Sequence, residues 1–457
     1  MKQTSRSSEV EESDTSASPS SRVPPQKTAR KATHAKSQSS LWRFFRVLGP
    51  GLITGASDDD PSGIGTYTTA GASLGYGTLW SALLTLPMMI GVQYLCAKVG
   101  MVTGRGLAGV LRRYYSPWIL YPAVIGLLIA NTINAGADIG AIAAAINLLL
   151  PAVPIVAMIV PIAILLIVLQ IWGSYRLISN VFRLLTLALF AYIASVFFAH
   201  PDGWAVLRST FLPGIQWNNV FFAMLVAILG TTISPYLFFW QSDQEVEEKI
   251  SRGEISLEQR KGTTKRALRS ARSDTIVGMI LSNVVMYCII LATAATLFKA
   301  GRHDVQSATD AAQALRPIAG NAASILFALG LIGAGCLAVP VLTGSAAYAL
   351  SEALDWEYGL NKRPKEARGF YGVIAGATLV GMVINFLGIN PITALFWSAV
   401  INGVLAPPLL VLLLLITNNR RIMGKWTNNL WLNLIAGFTT LVMFVAVIAL
   451  FFTLKNG

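Results

Sequence analysis

The chain has 457 residues, with 35 Lys and Arg against 22 Asp and Glu, for a net charge of +13. Hydrophobic residues make up 54% of it and charged residues only 12%, with a mean hydropathy of +0.59. That excludes an ordinary soluble domain, where about a quarter of residues are charged. Apolar runs of about 20 residues recur along nearly the whole length, and they are continuous, not alternating. The expectation is an all-α integral membrane protein and not a barrel.

Residues 1 to about 40 are rich in Ser, Thr, Lys, Arg and Glu (TSRSSEVEESDTSASPSSRVPP) and read as a disordered tail. No short apolar core with a cleavage site precedes the first span, so no signal peptide is expected. About eleven spans follow, near 43–71, 77–100, 117–148, 152–173, 176–199, 217–248, 270–299, 320–352, 368–388, 391–417 and 428–454. Basic residues gather in alternate connections. Arg105, Arg112 and Arg113 follow span two, and Arg176 follows span four. Lys261, Lys265, Arg266 and Arg269 follow span six, Lys362, Arg363 and Lys365 span eight, and Arg420, Arg421 and Lys425 span ten. The other connections are poorer in basic residues (Arg208; Lys299, Arg302 and Arg316). By the positive-inside rule, the N-terminus is cytoplasmic and the C-terminus outside. This distribution also accounts for the net charge without a nucleic-acid partner. Cys96, Cys288 and Cys336 fall one per apolar run, with neither metal-ligand nor disulfide spacing, and read as buried packing residues.

Two spans carry helix breakers at polar positions. Span one is interrupted at Asp58-Asp59-Asp60-Pro61-Ser62-Gly63, and span six at Gly230-Thr231-Thr232-Ile233-Ser234-Pro235-Tyr236. A spacing of five spans between them is that of two five-span repeats, and an odd number makes the second repeat inverted. Paired broken helices in inverted halves point to a transporter's central site. Repeat one is placed at about 43–199, repeat two at about 217–417 and an extra helix at about 428–454, all within a transporter domain over 41–454. Non-helical backbone at membrane depth survives only where it is buried in protein or lines a watery cavity. The negative end of a half-helix plus a carboxylate makes an oxygen-lined pocket suited to Mg²⁺, Ca²⁺ or Mn²⁺. Asp60, directly before the proline, is the leading ligand. Asp58 and Asp59 are assigned to a vestibule, a polar helix or each other.

G-P-G, eight residues, then D-P-S-G resembles the first helix of the Nramp family of divalent metal transporters, where the motif is G-P-G and then D-P-G-N. Ser234-Pro235-Tyr236 looks like that family's M-P-H helix. The likeness covers about residues 44 to 454. It implies a leucine-transporter-like fold with two inverted five-helix repeats, broken helices 1 and 6, and alternating access. By position, Asp60 falls where the family's metal-binding aspartate lies. Gly63 stands for its asparagine ligand, Ser234 for its methionine and Tyr236 for its histidine, and the carbonyls of Ser57 and Thr231 are further candidate ligands. A thioether favours transition metals. A hydroxyl in its place, with Asn reduced to Gly, implies a roomier and harder site, suited to an ion that keeps several waters. This pattern is similar to the Nramp-related magnesium transporters, so the expected transported ion is Mg²⁺, then Mn²⁺, with no resident cofactor.

Coupled members of the family use the histidine of span six, acidic residues in span three and an arginine pair in span nine. Span nine here (FYGVIAGATLVGMVINFLG) has no internal charge and Tyr236 does not titrate near neutral pH, which favours uniport over proton-coupled Mn²⁺/Fe²⁺ symport. Span three keeps Asp138 at the family's glutamate position. Asn131, Asn134 and Asp138 share a helix face, which lines the inner path or forms a polar seam. Ser282, Asn283 and Asn402 are further pathway or seam residues, Gln241, Asp243 and Glu245 border the exit, and Trp240 and Trp397 are packing or interfacial residues. An amino-acid transporter of the same fold is disfavoured by the triple aspartate. An enzyme is disfavoured because there is no H-E-x-x-H and His34, His200 and His303 all lie outside the spans. A non-transporting metal sensor stays open.

Overall fold

The computed structural model describes residues 50–172, 190–199, 201–305, 307–315 and 320–456. The tail over 1–40, Gly49 of G-P-G, the 176–189 part of span five, and Arg176, Arg316, His34 and His200 lie outside the described residues. The helices of eight or more residues are α1 (Pro50–Asp58), α2 (Pro61–Leu74), α3 (Trp80–Thr103), α4 (Leu107–Tyr114), α5 (Pro117–Leu149), α6 (Ile155–Trp172), α7 (Phe190–Phe198) and α8 (Gly203–Phe211). They continue with α9 (Asn219–Thr232), α10 (Pro235–Ser251), α11 (Lys265–Thr293), α12 (Ala323–Leu354), α13 (Arg368–Ile384), α14 (Pro391–Asn418) and α15 (Leu430–Asn456). No strand occurs among the described residues. Nine helical stretches among them are long and apolar enough to cross a membrane, the α9–α10 pair counting as one. The broken pair α1–α2 supplies a further crossing, so the element order follows the expected spans closely.

Local chemistry explains the boundaries. Prolines open α2, α5, α10 and α14, where the missing N–H costs nothing. Thr264 caps α11 by accepting from Ala267 N, which starts that helix at Lys265, one turn earlier than hydropathy suggests. Asp202 caps α8 in the same way through Trp204 N and Ala205 N, adding a short helix between spans five and six that apolar patterning does not reveal.

The broken helices pack crosswise. Both α1 and α2 lie on α11, the second span of repeat two, while α10 lies on α3, the second span of repeat one. The longest contact joins α5 to α12, the third spans of the two repeats. This exchange of partners is the pattern expected of two like halves related by inversion.

Because lipid is as apolar as leucine, burial adds little between helices in a membrane, and close backbone approach takes over. A Cβ built on Gly55 of α1 would stand 2.4 Å from Gly278 O of α11, and one on Gly136 of α5 would stand 2.5 Å from Gly381 O of α13. Neither position accepts a side chain without separating two helices. Gly381→Ala is therefore expected to lower the melting temperature of the solubilised protein by several degrees, as overpacking costs about 1–3 kcal/mol. Gly376→Ala on the same helix, where an added methyl meets nothing within 4 Å, is expected to leave it unchanged, and a thermal-shift assay on the two variants checks this.

Candidate metal site

The residue before a proline is pushed out of the α region, and both breaks show it. Asp60 and Ser234 are extended, with ψ of 169° and 130°. Helix α1 therefore ends at Asp58 and α9 at Thr232, leaving Asp59-Asp60 and Ile233-Ser234 as the non-helical links. All three aspartates are buried, at 0%, 6% and 1% exposure for Asp58, Asp59 and Asp60. That excludes an interfacial loop with its carboxylates in water.

The freed backbone groups find partners inside the protein, as they must at this depth. Asp60 caps α2, its Oδ1 accepting from Gly63 N at 2.7 Å and from Ser62 Oγ at 2.7 Å. Its Oδ2 faces the other way, accepting from Asn134 Nδ2 at 3.0 Å and Tyr236 OH at 3.4 Å. The same phenol has one proton to give, to Asp60 or, over the shorter distance of 3.0 Å, to Ser57 O, which ties the second break to the first. Ser234 Oγ donates back to Gly230 O at 2.8 Å and Thr231 O at 2.7 Å, closing the end of α9. Ser62 Oγ and Thr231 Oγ1 approach to 3.5 Å. Ser57, Asp60, Thr231 and Tyr236 thus meet at one buried, oxygen-rich place between α1, α2, α9, α10 and α5, with Ser234 tied to it through the Thr231 carbonyl.

Both donors to Asp60 Oδ2 are side chains, which can turn aside for a cation, whereas Oδ1 also caps α2 through Gly63 N. The carbonyls of Ser57 and Thr231 already accept hydrogen bonds, so each would serve a cation with its second lone pair or after its donor turns away. Ser234 offers hydroxyl lone pairs. Gly63 departs from the reading above. Its N–H serves Asp60, and a Cβ there would stand 3.0 Å from Thr231 Oγ1 and 3.2 Å from Tyr67 Cε2. The room expected from the loss of the asparagine side chain is occupied by Thr231 and Tyr67. A carbonyl is the one oxygen Gly63 can supply.

The three polar residues of α5 separate. Asn131 donates to Leu342 O and Ser345 Oγ of α12, each at 2.9 Å, which makes it part of a helix–helix seam. Asn134 belongs to the site through Asp60. Asp138 is fully buried, and neither of its carboxylate oxygens has a partner. The polar-helix assignment of Asp58 and Asp59 corresponds to Ser282 of α11, whose hydroxyl lies 2.6 Å from Asp58 Oδ2 and 3.2 Å from Asp59 Oδ1. With one proton to give, it can donate to only one of them at a time. Asn283 bonds to Thr85 Oγ1 at 3.0 Å and is a seam residue. Asn402 of α14 is buried with both side-chain polar atoms unpartnered, one residue from Gly403, where α14 meets α9. Toward the end of α10, Gln241 Oε1 accepts from Thr54 Oγ1 of α1 at 2.5 Å, and its Nε2 donates to Glu245 at 3.0 Å. Trp240 is buried against Tyr348, and Trp397 is 47% exposed, as expected of packing and interfacial roles. The three cysteines are buried and free.

Sequence reading missed Ser62 and Tyr67. Ser62 is two residues after the cap, where a hydroxyl can reach the capping carboxylate, and that spacing was a usable signal. Tyr67 lies four residues after Gly63 on the same helix, where a side chain leans back over the preceding turn, so that spacing was a signal as well. Among the described residues there is no group of three or more His, Cys, Asp or Glu side chains placed to hold a metal. A cation at Asp60 would therefore rely on hydroxyl, amide and carbonyl oxygens or on its own waters.

Comparison with known proteins agrees with this architecture. Residues 51–453 match the family described as "Nramp: Natural resistance-associated macrophage protein-like". The divalent metal cation transporter MntH of Bacillus subtilis is 28% identical over 400 residues, covering 85% of this chain and 88% of that protein. MntH of Vibrio campbellii is 28% identical over 394 residues, covering 86% and 88%. Among solved structures, the Eremococcus coleocola manganese transporter, in complex with an aromatic bis-isothiourea compound, superposes with a TM-score of 0.70 at 19% identity, covering 92% of this chain and 89% of that one. The inward-facing conformation of Mhp1, a leucine-transporter-like fold, superposes with a TM-score of 0.52 at 12% identity, covering 90% and 91%. With its two proline-broken helices at matching places and a family match over nearly all its described length, the chain belongs to the Nramp family.

Proposed function

We propose that the chain is a multi-pass carrier of hard divalent cations, moving Mg²⁺ first and Mn²⁺ second by alternating access without proton coupling. The names of its relative and structural neighbour, divalent metal cation transporter and manganese transporter, support the class. They also favour transport over enzymatic chemistry. The observation that carries the choice of ion is the donor set. Asp60 is contacted by Ser62, Gly63, Asn134 and Tyr236, with Ser57, Thr231 and Ser234 adjoining and no sulfur or imidazole among them. Oxygen donors without a thioether suit Mg²⁺ and Mn²⁺, and do not select softer transition metals.

Asp60, Ser57, Thr231, Ser234 and the Gly63 carbonyl are the proposed ligands, direct or through water. Tyr236, Asn134, Asp58, Asp59 and Asp138 border the pathway, and Asn131 and Asn402 support it. The placement of basic connections supports a cytoplasmic N-terminus and an external C-terminus. A second reading, proton-coupled Mn²⁺ symport, is favoured by one feature, the unpartnered carboxylate of Asp138. Against it stand Tyr236 in place of a histidine and the absence of charge from α13 beyond Arg368.

Flux into proteoliposomes, with Mg²⁺ and Mn²⁺ offered separately and lumenal pH read in parallel, tests the proposal. Entry of Mg²⁺ without acidification is expected; Mn²⁺ entry with acidification and no Mg²⁺ entry would establish the second reading. Asp60→Ala is expected to weaken cation uptake about 10–100-fold, the loss of a charge-assisted contact of roughly 1.5–3 kcal/mol. Tyr236→Phe keeps the ring but removes one donor, and an effect of about fivefold is expected, for roughly 1 kcal/mol. Ser234→Met restores a soft donor and is expected to raise Cd²⁺ and Mn²⁺ uptake relative to Mg²⁺ in a competition assay.

A further inference from the structure

The second half of α10 is polar yet buried, and it carries acids whose charges need compensation. Glu247 has two donors, Tyr348 OH at 2.8 Å and Asn361 Nδ2 at 2.7 Å. Glu352 of α12 accepts from Gly106 N at 2.8 Å, Gly109 N at 2.7 Å and Tyr358 OH at 3.0 Å. Glu245 has the Gln241 amide. Asp243 differs from all of these: it is 1% exposed and neither of its carboxylate oxygens has a partner. Among the described residues no guanidinium pairs with it: Arg112 pairs with Asp355, and neither Arg105 nor Arg260, whose Nε is itself buried without a partner, makes an ion pair with Asp243.

Asp243 also faces another carboxylate. A Cβ built on Gly106 would stand 1.9 Å from Asp243 Oδ1 and 2.6 Å from Glu352 Oε2, so the two acids converge on one point beside a glycine. Glu352 also lines a cleft of about 350 Å³, with Arg105, Arg112, Asp355 and Tyr358, which gives that carboxylate a route to solvent. A buried carboxylate without donors, beside a second one, is stable only with a cation between them or a proton on one of them.

We propose that Asp243 and Glu352 form a second divalent-cation site, separate from Asp60. It lies two helical turns beyond Tyr236 along α10, about 10 Å at 1.5 Å per residue. Its donors are carboxylate oxygens, so it takes a hard ion, Mg²⁺ or Mn²⁺, with water completing the shell. In the orientation proposed above, it stands on the cytoplasmic side of the transport site, where the ion concentration of the cell interior fills or empties it. The arginines at the cleft mouth keep its affinity below that of an all-acidic site.

The test counts Mn²⁺ bound per chain, by loss of the free-ion electron paramagnetic resonance signal, on the full-length protein in detergent with Mg²⁺ as competitor. Two ions are expected for the unaltered chain, one for Asp60→Ala, one for Asp243→Asn and none for the double variant. Glu352→Gln, which alters the other carboxylate on a different helix, is expected to weaken the second ion at least tenfold and gives the answer even where Asp243→Asn does not fold. An unaltered count in Asp243→Asn or Glu352→Gln would overturn the proposal and leave the acids sharing a proton. A single ion in the unaltered chain, lost in Asp60→Ala, would overturn it while leaving the transport site intact. Two ions retained in Asp60→Ala, with one lost in Asp243→Asn, would uphold the second site and overturn the assignment of Asp60.

Discussion

Two prolines set the terms for everything at the centre of this bundle. Pro61 and Pro235 each force the residue before them out of the helix, and each does so among buried side chains, where freed carbonyls need partners. An unsatisfied peptide group at that depth costs several kcal/mol, so several of the polar side chains near the breaks serve the backbone. Asp60 caps α2, Ser234 closes α9, and Tyr236 reaches from one break to the carbonyl of Ser57 in the other. The phenol is a direct hydrogen-bonded link between the two interrupted spans, and it lies 3.4 Å from the Asp60 oxygen proposed as a cation ligand. The arrangement that repairs the backbone and the arrangement that would hold an ion are built from the same groups.

The helices that carry these groups are held by contact, not by hydrophobic burial. Gly55 against Gly278 and Gly136 against Gly381 bring backbones close enough that no side chain fits between them. The first contact fixes α1 against α11 and sets Asp58 and Asp59 within reach of Ser282. The second holds α5 against α13 while its polar face presents Asn134 to Asp60. Acids that sit this deep are tolerated where a hydroxyl, an amide or a backbone N–H meets them. Asp138 and Asp243 stand out because nothing does.

Much of this was legible in the residues. Apolar runs located the spans, the D-P and S-P steps located both breaks, and the carboxylate before the first proline marked Asp60 as the group to watch. Other expectations were divided by the packing. Asn131 and Asn134 share a helix face in the sequence, yet one turns into a seam with α12 and the other reaches the site. Gly63 promised room, and Thr231 and Tyr67 fill it. A helical wheel reports direction around an axis but not which neighbour stands there, and that is why a shared face could not be resolved further.

The chain by itself determined its membrane-spanning class, the order of its spans and the location of its broken helices. Those follow from local rules: transfer of apolar runs out of water, and the stereochemistry of proline. It also determined which donor types are present at the breaks, with hydroxyls where the family it resembles has sulfur and imidazole. Only the tertiary structure decided which of those donors meet. The pairing of Tyr236 with Ser57, of Ser282 with two aspartates, and of Asp243 with Glu352 joins residues far apart along the chain. Such contacts depend on how two inverted halves close on each other, and no local periodicity carries that information.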